Sequence, residues 1–205
     1  FRQRPDECGV HFVPGVLATI LMIITMLLTS LAITREREIG TIEALVVTPI
    51  KPYQLILGKM LPFAVIGFLD IRLILVVALG HFHVPFTGAP SLLYFCSGIF
   101  LFSTLGMGLL ISTVSNTQQQ AIFVTMLVLQ PAILLSGLMF PIANMPESIQ
   151  YLTYLNPLRY FLVILRGVML KGNDFEILAP QIYALLALGI GLFSLAVARF
   201  QKTIE

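Results

Sequence analysis

Five apolar runs govern what this chain can fold into: Phe12–Ile33, Met60–Gly80, Ser91–Thr113, Ala121–Phe140 and Ile177–Ala198. A helix needs about 20 residues to cross about 30 Å of hydrocarbon, and each run approaches or exceeds that length. No water reaches backbone groups inside a bilayer, so only helices and closed barrels span it. A barrel would show segments of roughly ten alternating residues, and the sequence has none. Charged residues make up 11% of the chain and hydrophobic ones 58%, against roughly 25% charged in soluble domains. The chain is expected to be an all-α membrane protein with five transmembrane helices, a cytoplasmic amphipathic helix and short outer re-entrant helices.

Between the first two runs lies the most charged segment, Thr34–Pro62 (TREREIGTIEALVVTPIKPYQLILGKMLP). Glu36, Arg37, Glu38 and Glu43 alternate with Ile39, Ile42, Leu45 and Val46 at helical spacing, which predicts a short amphipathic helix. Thr34-Arg35 is read as the end of the first span. Thr48-Pro49 and Lys51-Pro52 should break the amphipathic helix. A charge run is usually a solvated face. Here the helix joins two spans, so its apolar side needs a cover, either the bilayer surface or a partner.

Residues 1–11 read as an extracytoplasmic lead-in, and 12–205 as one membrane domain. The link Val114–Gln120 is polar and uncharged. Residues 141–179 carry Pro141, Pro146 and Pro157, and two short helical stretches too short and too charged to span, suited to lying in the interface or re-entering the membrane. Thr104, Gly108 and Ser112 in the third run, and Ala184, Ala187, Gly191, Ser194 and Ala198 in the fifth, form small-residue faces that let helices approach. Six bases near the first link and the tail, against five at the other face, barely tip the orientation toward an outside N-terminus.

Three polar residues sit at membrane depth: Asp70, Arg72 and Gln130. A charge there costs at least about 2.5–3.5 kcal/mol, so it usually faces protein or water. They could line a transport path. Equally, Asp70 could bond Gln130 while Arg72 snorkels outward. Cys8 and Cys96 suggest no disulfide. His11, His81 and His83 make a weak case for a metal site, and none is expected. Hydrolase motifs are absent, Gly58-Lys59 lacks the remainder of a P-loop, and nothing suggests nucleic acid.

The segment Glu36, Arg37, Glu38, Gly40, Thr41, Glu43, Leu45, Thr48 and Pro49, followed by Gly58-Lys59, resembles the permease subunits of type-2 ABC exporters. A second match runs through Ser136-Gly137, Pro141, Asn144-Met145-Pro146, Asn156-Pro157 and Arg166-Gly167. The resemblance covers essentially the whole chain and points to the drug-exporter branch. It implies that Glu36, Arg37, Glu38, Ile39, Gly40, Thr41, Ile42, Glu43 and Leu45 form a coupling helix docking on a separate cytoplasmic ABC ATPase subunit. That partner would carry ATP and Mg, with no cofactor in this chain. It further implies outer gate helices around Pro141, Asn144, Pro146, Asn156 and Pro157, a second permease copy in a homo- or heterodimer, and a bacterial inner-membrane location with a cytoplasmic C-terminus. Such permeases usually carry a further span and an extracytoplasmic domain ahead of the region seen here. The expected function is ATP-driven efflux of a hydrophobic substrate, with no enzyme activity in this chain. The rival readings are a non-transporting scaffold or regulator derived from such a permease, and a membrane-embedded enzyme. The enzyme would need a nucleophile and base facing each other within the spans, and the only membrane-flanking histidines are in loops.

Overall fold

A computed structural model of the chain describes residues 5–40, 52–80, 88–138 and 142–204. All regular elements among them are helical: α1 (Pro5–Ile39), α2 (Pro52–Gly80), α3 (Pro90–Val114), α4 (Gln118–Leu134), a 3-10 turn (Ile142–Asn144), α5 (Glu147–Thr153), α6 (Pro157–Lys171) and α7 (Phe175–Ile204). Among the described residues four helices, not the five expected, are long and apolar enough to cross a membrane, through Pro14–Ile39, Gly58–Val77, Pro90–Val114 and Phe175–Arg199; the fourth run gives a shorter apolar helix, Gln118–Leu134. The all-α membrane class expected from the apolar runs is the one observed.

Several boundaries differ from the sequence expectation: α1 begins at Pro5, inside the expected lead-in 1–11, and α2 begins at Pro52 rather than Met60. The first helix does not stop at Thr34-Arg35; it continues to Ile39. Glu36–Ile39 belong to the helix that forms the first span, because Arg and Glu are good helix formers. The 35 residues of α1 rise about 52 Å, far more than the hydrocarbon needs, so its last turn projects beyond it. The fourth run forms a helix only to Leu134, not to Phe140. Its last turn is closed by Leu135 N–H on Pro131 O (2.8 Å) and Ser136 N–H on Ile133 O (3.3 Å). Gly137 follows at φ 80°, a left-handed conformation that ends helices and suits glycine.

Helix α3 is the axis of the bundle. Its membrane window is 72% buried, against 24% for α2 and 22% for α7, and it packs on α1, α2, α4, α6 and α7. Small residues make this possible. A Cβ on Gly108 would lie 2.8 Å from Thr29 Cβ and 3.0 Å from the Met26 carbonyl, and one on Gly106 would lie 3.2 Å from the Phe193 amide nitrogen. The expected stripe of Thr104, Gly108 and Ser112 is wholly buried. The stripe of α7 behaves otherwise: Ala187, Gly191, Ser194 and Ala198 are exposed, and α7 packs through Leu178, Ile182, Leu185, Gly189 and Ala196 instead.

Polar groups in the core are also paired across helices. The Thr25 and Thr104 hydroxyls meet at 3.1 Å, and those of Ser30 and Thr125 at 3.2 Å. These join α1 to α3 and α4, with each such bond worth about 0.6–2 kcal/mol. Helix α6 is amphipathic and buries Leu158, Phe161, Leu162, Leu165, Val168 and Met169 against α1, α3 and α7. The Phe161 ring stacks on Phe100 of α3 at 4.1 Å. A helix too short to span thus packs into one end of the bundle.

Replacing Gly108 with Leu should force α1 from α3 and destabilise the fold by about 1–3 kcal/mol, seen as a lower unfolding temperature in detergent. Gly191→Leu, on the open face, should leave that temperature unchanged.

Candidate functional site: the charged elbow of the first span

The last turn of α1 carries three consecutive charges, and each has a partner on another helix. Glu36 pairs with Lys59, near the start of the second span. Both side chains are half-buried. Arg37 Nη1 donates to the carbonyls of Thr113 (3.2 Å) and Ser115 (3.4 Å) at the end of α3. Glu38 Oε2 accepts from the Gln118 backbone N–H (3.1 Å) and from its Nε2 (3.0 Å) at the start of α4.

Helix ends explain the order of the charges. The last carbonyls of a helix lack intrahelical partners and carry partial negative charge, and the first N–H groups carry partial positive charge. Arg37 therefore sits at the C-terminus of α3, and Glu38 at the N-terminus of α4. The turn between these helices, Ser115–Thr117, is clipped from both sides. Thr117 completes it as N-cap, accepting from Gln120 N–H at 3.3 Å.

Gly40 ends α1 at φ +81°, its N–H bonded to Arg37 O at 3.1 Å. A Cβ there would meet nothing within 4 Å, so its backbone angle, not space, favours glycine. Ile39 is 62% exposed at the tip. Thr41, Ile42, Glu43 and Leu45 lie outside the described residues, as do His81, His83 and Pro141.

At membrane depth, the three polar candidates do not come together. Asp70 is half-buried, and its Oδ2 has no hydrogen-bond partner among the described residues. Gln130 is exposed on α4. No Asp70–Gln130 hydrogen bond forms among the described residues, because Gln130 points away from the bundle. Arg72 is exposed on another face of α2.

The opposite end of the molecule is closed by Asn156. Its Nδ2 donates to the Ala132 carbonyl (2.6 Å) and its Oδ1 accepts from Leu158 N–H (3.1 Å). One buried side chain thus caps the start of α6 and satisfies the end of α4. Pro157 occupies the first turn of α6, where a missing N–H costs nothing. Pro146 precedes α5 and Asn144 ends the 3-10 turn; both are exposed. Arg159 bonds Thr153 and lies 4.2 Å from the centre of the Tyr154 ring. Arg166 is half-buried, and burial holds its guanidinium below the ordinary value. Among the described residues no three His, Cys, Asp or Glu side chains gather as metal ligands.

A bundle of membrane-crossing helices with a charged elbow on one face and a capped cluster of short helices on the other defines a polytopic α-helical membrane protein. The chain belongs to the ABC-2 type transporter family, whose profile matches residues 1–170. It is 36% identical over 192 residues to the probable multidrug ABC transporter permease YbhR of Escherichia coli K12, covering 94% of this chain and 52% of that protein. Against the probable multidrug ABC transporter permease YbhS of the same organism it is 37% identical over 204 residues, 98% of this chain and 54% of YbhS. The inner membrane transport permease YhhJ is 33% identical over 194 residues, 93% of this chain and 52% of YhhJ. The chain thus spans about half the length of these curated relatives.

Sequence reasoning marked the elbow charges as a surface for a partner and missed their internal roles. The signal was present: Arg37 and Glu38 are adjacent, and Thr117 with three glutamines marks a helix start. Arg37→Ala leaves two carbonyls without their donor and should cost about 1–3 kcal/mol. Arg35→Ala, at an exposed neighbour, should stay within about 0.5 kcal/mol; thermal unfolding in detergent compares the two. Asn156→Ala removes a cap and a buried partner together and should cost about 1–3 kcal/mol by the same measurement.

Proposed function

We propose that this chain forms the membrane-spanning part of a permease subunit in an ATP-driven exporter. A separate cytoplasmic ABC ATPase would dock on residues 36–45, with ATP and Mg bound on that partner. The observation that carries the proposal is the elbow. Glu36, Arg37 and Glu38 join the start of the docking segment to α2, α3 and α4 at once. A force on that segment would therefore move four helix ends together, as rigid-body rocking of a permease requires. The names of YbhR and YbhS, which describe them as multidrug permeases, support the same reading.

In this arrangement Ile39, Ile42 and Leu45 fill a groove on the ATPase, and Glu43 meets basic groups at its rim. With the elbow facing the cytoplasm, the C-terminus of α7 lies there too, a reading supported by the packing of Ala196 with Ile33 and Met60 at the same end. The capped cluster of α5 and α6 then forms the outer gate. A second permease copy completes the path, with Asp70 and Gln130 as the candidates to line it. The apolar character of the spans favours a hydrophobic substrate, in the inner membrane of a bacterium.

Ile42→Asp should abolish co-purification of the ATPase subunit expressed with the full-length protein, and its transport-linked ATP hydrolysis, while the unfolding temperature stays unchanged. Unaltered co-purification would refute docking at this segment and favour a scaffold that kept the fold without the coupling.

A further inference from the structure

Arg72 stands in an open groove of about 350 Å³ lined by Val65, Phe68, Leu69, Arg72 and Tyr94. The four α2 residues fall at positions i, i+3, i+4 and i+7, so they form a single stripe along that helix. Val65 is 51% exposed, Phe68 42% and Leu69 60%. Tyr94 comes from α3, and one turn below it Gly98 leaves the groove wall low: a Cβ there would lie 3.3 Å from the Phe68 ring. No hydrogen bond or ion pair engages Arg72 among the described residues.

The depth of the stripe is informative. Arg72 lies eight residues before the end of α2 at Gly80, about 12 Å along the axis. An extended arginine snorkels from there toward the lipid headgroups. Leu69, Phe68 and Val65 follow beneath it, progressively deeper. The groove therefore presents a cation and a phenol on the headgroup side and an apolar trough below, at the end of the α2–α3 pair away from the elbow. Asp70 does not oppose this. It is two residues away, roughly 200° around the helix, and does not line the groove.

We propose that this groove holds an anionic phospholipid of the surrounding leaflet, its phosphate on Arg72 and Tyr94 and one acyl chain along Leu69, Phe68 and Val65. Charge complementarity selects the occupant. An exposed guanidinium facing hydrocarbon is costly, and a phosphate accepts its planar donors two at a time. A zwitterionic lipid offers the same phosphate, but its own ammonium competes for it.

The test is native mass spectrometry of the detergent-purified full-length protein, titrated with phosphatidylglycerol or phosphatidylcholine of matched chains. The unaltered protein should retain phosphatidylglycerol preferentially. R72Q should lower that retention about tenfold, the loss of one charge-assisted contact, and leave phosphatidylcholine unchanged; R72K should keep part of it. Equal phosphatidylglycerol retention by R72Q would overturn the proposal. So would a change in oligomeric state with unchanged retention, which would mean that a second copy covers the groove. If R72Q does not accumulate, Tyr94→Phe decides: reduced retention supports the site, and unchanged retention overturns it. Lipid retention needs no ATPase, so this result stands apart from docking at residues 36–45.

Discussion

The contact of Arg37 and Glu38 with the α3–α4 turn orders one whole face of this molecule. Helices that cross a bilayer satisfy their own backbones along their length but not at their ends. The ends of α3 and α4 fall side by side, one offering carbonyls and the other N–H groups. Two adjacent charges on α1 meet both, each with the sign that the helix end favours. With Glu36 on Lys59, the end of the first span becomes a junction of four helices. The same residues begin the segment proposed to carry the ATPase.

Away from that junction, cohesion comes from proximity. Lipid tails are as apolar as leucine, so burying leucine is a weak reason for helices to associate in a membrane. Close approach and polar pairing take its place. Gly108 brings α1 onto α3, Gly106 and Gly189 bring α7 onto α3, and hydroxyl pairs join α1 to α3 and α4. At the far end, Asn156 joins the end of α4 to the start of α6. A bundle built in this way is tied at both ends by side chains that reach from one helix to the end of another.

Several residues on outward faces do not suit a bundle surrounded wholly by apolar lipid. Gln130 is exposed on α4, the small stripe of α7 is open, and Arg72 stands in a groove of α2. Each face has a different chemistry. The amide of Gln130 and the small stripe suit the close approach of another helix. The guanidinium over an apolar trough suits a lipid anion. These are the faces that the proposed second permease copy and the proposed lipid would use.

Much of the fold could be read from the sequence. Apolar runs near 20 residues, without alternation, leave only membrane helices, and this follows from hydrocarbon thickness and backbone satisfaction alone. The family could be read too, from the motif around Glu36–Pro49, which the matched profile bears out. The ends of helices were less legible. Nothing local stops α1 at Thr34, and whether α4 ends at Leu134 depends on how Ser136-Gly137 turns and on Asn156, 24 residues away from Ala132. The charges of the elbow were visible, but their partners were not: Arg37 reaches Thr113 and Glu38 reaches Gln118, about 80 positions on. The sequence by itself determined that the chain is helical and that several segments are long and apolar enough to enter a membrane, because those depend on residue type and run length. Only the tertiary structure decided which side chain meets which helix end, because that depends on how separate helices pack.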